Sequence, residues 1–236
     1  HIIIKRLKKR DNIHVDTPEE ALKKLMDEGY EEVIVQPLHI IPGSEYDYIK
    51  SVVSHFRHRK VFKNISLGRP ALYFKGGDNI PDDYVIFIDA IKEHLNKDQA
   101  FVLMGHGSVH YSNACYSCLQ HVFHDEGYPH VYIGNVEGYP EIDVIMDKLE
   151  ENNVKEVTLK PLMLVSGDHA NNDMVGDDED SWQSQLAKRG ISSQADMRSL
   201  GEIDAFQDIY VQHIKDAISS TYKGVEVSKR IQKVLV

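Results

Sequence analysis

Apolar positions recur along this chain at two spacings, one helical and one strand-like, and the two alternate over most of its length. Ile3, Ile4 and Leu7 have helical spacing. Thr17-Pro18-Glu19-Glu20 reads as a helix start: Thr17 caps, Pro18 fits the first turn and Glu20 completes a capping box. Leu22, Leu25 and Met26 form that helix's inward face, and Gly29 ends it. Residues 32–38 predict a short buried strand. Ile49, Val52, Val53 and Phe56 predict an amphipathic helix, residues 65–73 a strand, and Pro81 opens a helix carrying Val85, Ile88, Ile91 and Leu95. The second half repeats the scheme. Strands at 100–104, 130–135, 156–162 and 191–197 are each followed by a helix: one ending near His124, one at 140–151, one around Trp182 and one at 203–219. Such alternation predicts an α/β fold of parallel sheets covered by helices.

Residues 33–45 (VIVQPLHIIPGSE) match residues 157–169 (VTLKPLMLVSGDH) without a gap. Val33, Pro37, Leu38, Gly43 and Glu45 align with Val157, Pro161, Leu162, Gly167 and His169. The repeat predicts two similar domains, 1–97 and 98–236, related by a pseudo-twofold axis. Strand, helix and strand precede the second copy but not the first, so the first domain is expected to lack an N-terminal β-α-β.

Composition narrows the function. A net charge of −10 argues against a nucleic-acid partner, and no apolar run is long enough to cross a membrane. Two cysteines, Cys115 and Cys118, exclude a disulfide framework and suit a reducing, cytoplasmic setting. The chain begins at His1 rather than methionine, so the lack of a visible signal peptide carries little weight. A homo-oligomer is left open. Thirteen histidines point toward metal or proton chemistry.

Gly105-His106-Gly107-Ser108 lies at a strand end, where open parallel sheets bind ligands. The glycines permit a sharp turn and close approach to a ligand. His169 stands on the repeat-equivalent strand end, and Glu137 lies on a third. Two imidazoles and one carboxylate suit a borderline divalent metal with open positions. His39 and Glu45 are the polar residues of the matching first-domain loop. The acidic run Asp177–Asp180 does not match an EF-hand and reads as a solvated helix start, with Trp182 packing inward. Cys115-x-x-Cys118-x-x-His121-x-x-His124 resembles a zinc pattern, but steps of three on a helix rotate the side chains apart, so core packing is the reading for both cysteines. Ser108 is misplaced for a nucleophile elbow, and no phosphate-binding P-loop occurs, so no nucleotide is expected.

Five segments resemble the anaerobic, single-subunit, ATP-independent sirohydrochlorin cobaltochelatases, which are related in fold to ferrochelatase: DTPEEALKKL (16–25), LHIIPGSEY (38–46), MGHGS (104–108), VEGYPEID (136–143) and PLMLVSGDHANNDM (161–174), the last continuing into DDEDSW (177–182). The resemblance implies two flavodoxin-like (Rossmann-like) domains. It carries metal-binding histidines onto His106 and His169, an acidic ligand onto Glu137 and a pocket glutamate onto Glu45. It implies insertion of Co²⁺, with Fe²⁺ or Ni²⁺ as alternatives, into sirohydrochlorin or precorrin-2 in anaerobic cobalamin biosynthesis. His106 and His169 are expected to face each other across a cleft between the domains, one of them taking the pyrrole protons, with Glu45 as relay. His39, Glu45, Gly107 and Ser108 are expected to line the tetrapyrrole site. Two alternatives remain: a carrier that binds tetrapyrrole or metal without turnover, and a two-domain hydrolase or small-ligand binder indifferent to His169. The basic tail after Tyr222 reads as a solvated extension.

Overall fold

The computed structural model describes residues 2–222 of the 236-residue chain; the basic tail lies outside them. The elements in chain order are α1 (Ile2–Asp11), α2 (Pro18–Asp27), β1 (Glu32–Val35), α3 (Ser44–His58), β2 (Asn64–Leu67), β3 (Lys75–Gly77), β4 (Ile80–Asp82) and α4 (Asp83–Ile91). They continue with β5 (Ala100–Gly107), α5 (Ala114–Asp125), β6 (Val131–Glu137), α6 (Ile142–Glu151), β7 (Glu156–Pro161), α7 (Trp182–Lys188), β8 (Ser192–Ala195) and α8 (Asp204–Ser219). Among the described residues, no helix is long and apolar enough to cross a membrane.

The chain groups into two compact units. One holds the residues up to Pro37, Glu45–Gly68 and those from Ile214 on; the other holds Leu38–Ser44 and Arg69–His213. These limits differ from a single cut near Lys97, and side-chain chemistry explains why. Phe87 of α4 meets Phe206 of α8 edge to face, with ring centroids 5.0 Å apart. Tyr84, Ile88 and Ile91 share a core with Phe101, Leu103 and Leu119. Asp83 is buried in an ion pair with Arg69 (Nε to Oδ2, 3.0 Å) and lies 3.6 Å from Nε2 of His213. Splitting residues 69–97 from those that follow would break this core.

In the first unit, β1 and β2 pair in parallel, with Val33 opposite Ile65. Leu22, Val33, Val52, Val53, Phe56, Phe62 and Ile65 form its core. The capping box on α2 forms as the sequence predicts: Glu20 N–H donates to Thr17 Oγ1, and Thr17 N–H to Glu20 Oε2. Gly29, at φ +82°, follows the helix end. Met26, assigned to the inward face, is instead exposed, because α2 buries only Leu22.

The second unit holds a four-stranded parallel sheet in the order β6-β5-β7-β8. Along β5, Phe101 and Leu103 enter one core with α4, α5 and α8, while Val102 and Met104 enter another with α6 and α7. This period-2 alternation buries both sheet faces, as a parallel sheet between two helix layers requires. The antiparallel hairpin β3–β4 was not expected, since its strands (KGG and IPD) carry no apolar alternation. Pro81 lies inside β4, and α4 opens on Asp82, whose carboxylate caps the amides of Tyr84 and Val85. β2 also stops at Leu67, short of the predicted 65–73.

Candidate functional site

His106 is the penultimate residue of β5, not part of a loop. β7 pairs with β5 only as far as Met104 opposite Pro161, whereas β6 continues to Glu137 opposite Gly107. The sheet therefore loses one neighbour beside His106, and the imidazole emerges exposed at the carboxyl edge. Gly107, at φ +78°, allows this exit: a Cβ there would lie 1.7 Å from the Glu137 carbonyl oxygen. The Tyr116 hydroxyl, which meets the Gly107 backbone, is pushed up to about 12 by burial and stays protonated.

His169 opens a six-residue π-helical turn, His169–Met174, beyond β7. Ala170 and Met174 are fully buried in the core shared with Val102 and Met104, which fixes the turn against the sheet. β5 and β7 are adjacent strands, and the two rings meet edge to face with centroids 4.8 Å apart and an interplanar angle of 87°. Both histidines belong to the second unit. The expectation that they face each other across an interdomain cleft is thus corrected, because parallel strand order already brings neighbouring strand ends together.

Each ring has a defined partner at Nδ1. In His106, Nδ1 lies 3.0 Å from the Gly107 carbonyl oxygen. In His169, Nδ1 lies 2.5 Å from Asp173 Oδ2. Carbonyl and carboxylate oxygens only accept, so both Nδ1 atoms carry the proton, and in the neutral rings both Nε2 atoms keep their lone pairs.

Glu137, the last residue of β6, is exposed and does not close with the two histidines. Among the described residues, the group of three His, Cys, Asp or Glu side chains with ligand atoms all within 4.8 Å of one another is His14, Asp16 and Glu20. β6 and β7 flank β5 on opposite sides, so Glu137 and the exit of β7 approach the end of β5 from opposite sides. The His14 group is a helix start, where Asp16 pairs with Lys24 at 2.5 Å and Glu20 serves the capping box.

Asn113 ties the two outer loops together. Its Oδ1 accepts the Ser108 amide (3.0 Å), and its Nδ2 donates to the Tyr139 carbonyl (2.5 Å). The Ser108 hydroxyl accepts the His110 amide at 3.0 Å. His39 belongs to the second unit, half-buried, with its carbonyl accepting from Ala71 N–H and the Tyr210 hydroxyl. Glu45 belongs to the first unit, exposed in the first turn of α3. Cys115 and Cys118 pack against the core of the second unit, and burial pushes both thiols up, away from the thiolate form a soft metal needs. Asp173, Asp178, Glu179 and Asp180, with Asn172 and Ser181, line a cavity of about 370 Å³.

The family model described as Cobalt chelatase (CbiK) matches residues 1–219. The chain belongs to this family. A sirohydrochlorin cobaltochelatase of Salmonella typhimurium is 39% identical over 221 residues, covering 92% of this chain and 80% of that protein. The sirohydrochlorin cobaltochelatase CbiKC of Nitratidesulfovibrio vulgaris is 34% identical over 205 residues, covering 87% of this chain and 72% of that protein. Among solved structures, SirB from Bacillus subtilis with Fe3+ superposes with a TM-score of 0.60 at 14% identity, over 90% of this chain and 80% of that one. The sirohydrochlorin chelatase SirB of Bacillus subtilis subspecies spizizenii in complex with cobalt gives 0.58 at 13% identity, over 92% of this chain and 80% of that one. At these identities the solved structures establish the fold, and the sequence relatives establish the family. This chain is thus a metal chelatase of α/β architecture, and His106, Glu137 and His169 all fall within the matched residues.

Proposed function

We propose that this chain inserts Co²⁺ into sirohydrochlorin for cobalamin biosynthesis, with the metal ion as substrate and no nucleotide. The observation that carries the reading is the pairing of His106 and His169 at the carboxyl edge of one sheet. With metal–nitrogen bonds of about 2.1 Å, an ion in line with both Nε2 lone pairs would sit about 3.2 Å from each ring centroid. The 4.8 Å between centroids then corresponds to an N–metal–N angle of about 100°, compatible with tetrahedral or octahedral coordination.

The two imidazoles hold Co²⁺ as it sheds water. Glu137, exposed at the next strand end, completes the set by swinging inward or through a bridging water. Insertion releases two pyrrole protons. A histidine that gives up the metal to the ring becomes free to accept one of them, and Glu45 is proposed as a relay for the other. Gly107 and Ser108 offer backbone close to the macrocycle's edge, and His39 is proposed as a further contact.

The test is steady-state absorbance with sirohydrochlorin and Co²⁺. More than one product per protein molecule is expected, with insertion lost in His106→Ala and His169→Ala while circular dichroism is unchanged. Product that stops at one equivalent would identify a carrier. Wild-type activity in His169→Ala would overturn the assignment of the site.

A further inference from the structure

Resting on that reading, we propose that Asp173 is a positioning residue, whose carboxylate accepts a hydrogen bond from His169 Nδ1–H and holds the ring in the tautomer that leaves Nε2 for the metal.

Three observations support it. Asp173 Oδ2 lies 2.5 Å from His169 Nδ1, within reach of a strong charge-assisted hydrogen bond. The π-helical turn is anchored at Ala170 and Met174, which flank Asp173 in sequence and are fully buried, so the carboxylate hangs from fixed backbone. The neighbouring imidazole is set the same way by a different device: His106 Nδ1 donates to the Gly107 carbonyl, which no side-chain change can remove. Two metal-facing imidazoles thus carry the proton on the same nitrogen, one by main chain and one by Asp173. A ligating histidine whose second nitrogen is held by a carboxylate is oriented for the ion before it arrives. An exposed i,i+4 pair with no such role would add little to stability and nothing to ligand geometry.

The rest of the Asp173 surroundings fits this role. Its side chain is 45% exposed, so substitution leaves no hole in the core. It also lines the acidic cavity with Asp178, Glu179 and Asp180.

The experiment compares Asp173→Asn and Asp173→Leu in the full chain, with Asp173→Ala as a second truncation should the leucine variant not fold. Nitrogen-15 NMR of the imidazoles, without metal, reads the His169 tautomer. Titration with Co²⁺ alone reads affinity, and steady-state insertion separates kcat from KM for Co²⁺. The asparagine Oδ1 still accepts the Nδ1 proton, so that variant is expected to keep the tautomer and to bind Co²⁺ within about threefold of wild type. The leucine variant is expected to show mixed tautomers, Co²⁺ binding weaker by about 10- to 100-fold and a matching rise in KM. An unchanged tautomer and affinity in the leucine variant would overturn the proposal. So would equal losses of affinity in both variants with the tautomer intact, which would make Asp173 a metal ligand itself. Failure of the chelatase reading looks different: His169→Ala would then bind Co²⁺ as wild type does, whatever the tautomer in the Asp173 variants.

Discussion

In the first copy of the internal repeat, Val33 lies in β1 opposite Ile65, and the chain runs through Glu45 into the 15-residue helix α3. In the second copy, Val157 lies in β7 between β5 and β8, and the chain runs through His169 into a six-residue π-helical turn. The strands share a sequence template and a main-chain brace, since the His39 and Ile40 carbonyls accept the Ala71 and Leu72 amides; the exits differ in their side chains. Beyond β7, Met163 and Leu164 carbonyls accept the Leu200 and Gly201 amides, and the Ser166 hydroxyl donates to the Met197 carbonyl. Lys160, fully buried, reaches Asp196 at 2.6 Å and the Arg198 carbonyl at 3.1 Å. The corresponding Gln36 makes a neutral bond to the Pro37 carbonyl. What sets the second copy apart is its side chains: Lys160 carries a buried charge to Asp196, and Ala170 and Met174 anchor the turn that bears His169 in the core.

The largest expected contrast lies between the aligned residues at the two exits. His169→Ala is expected to weaken Co²⁺ binding by at least about 100-fold and to slow insertion by about 1,000-fold or more. Glu45→Gln is expected to leave Co²⁺ affinity unchanged and to slow insertion by about 100-fold, the cost of losing a proton relay. Metal titration beside steady-state rates separates the two. Equal losses of Co²⁺ affinity in both variants would erase the distinction between ligand and relay.

Next in size is the brace under the second copy. Burial pushes the Asp196 carboxyl up, but the Lys160 ammonium and the Arg198 amide outweigh it, and the net shift is downward. A carboxylate with a lowered folded pKa adds stability that is fully present above its unfolded value, about 3.9, and is lost as pH falls through the folded value. Asp196→Asn leaves the buried Lys160 charge without a counter-ion. Removing one partner of a buried pair costs about 3–5 kcal/mol, and because Asp196 is 41% exposed the expected loss here is about 2 kcal/mol. Gln36→Met in the first copy removes neutral hydrogen bonding only and is expected to cost less, about 1 kcal/mol. Denaturant melts at neutral pH test the difference, and the gap between wild type and Asp196→Asn should shrink below about pH 4. A gap that persists there would show that the pair is not what braces the exit.

How much of this was legible in the sequence follows from which forces are local. Capping chemistry placed the start of α2, and helical periodicity placed α3, because both depend on neighbours within four residues. The strand-end rule for parallel sheets singled out His106 and His169, and β5 and β7 are indeed adjacent. The hairpin β3–β4 escaped because its one cue, the turn at Asp78-Asn79, lies between strands without an apolar pattern. Which core Phe87 and Asp83 join is a long-range fact that spacing does not carry. Glu137 shared the strand-end rule with the histidines, yet strand order puts it on the far side of β5 from β7, and order is not written in spacing. Asp173 lies in segment 161–174, one of those that carry the family resemblance. Its hydrogen bond to His169 depends on a π-helical turn that no periodicity announces.

The smallest contrast concerns the helices that lead into each copy. Thr17, the N-cap of α2, has extended backbone and a side chain that accepts from Glu20 N–H, whereas Glu141, the N-cap of α6, makes no capping bond with its side chain. Losing a Thr cap exposes an unsatisfied amide and costs about 1 kcal/mol, while Glu141→Ala should stay within about 0.5 kcal/mol. Thr17→Ala should therefore lower the denaturation midpoint, with Co²⁺ affinity unchanged because His106 and His169 belong to the other unit. A parallel fall in Co²⁺ affinity would mean that the first unit's local stability feeds into the proposed metal site, and the two copies could no longer be treated as independent. Thr17→Ser, which keeps the hydroxyl, should restore most of the lost stability and so identifies the cap, rather than side-chain packing, as the cause.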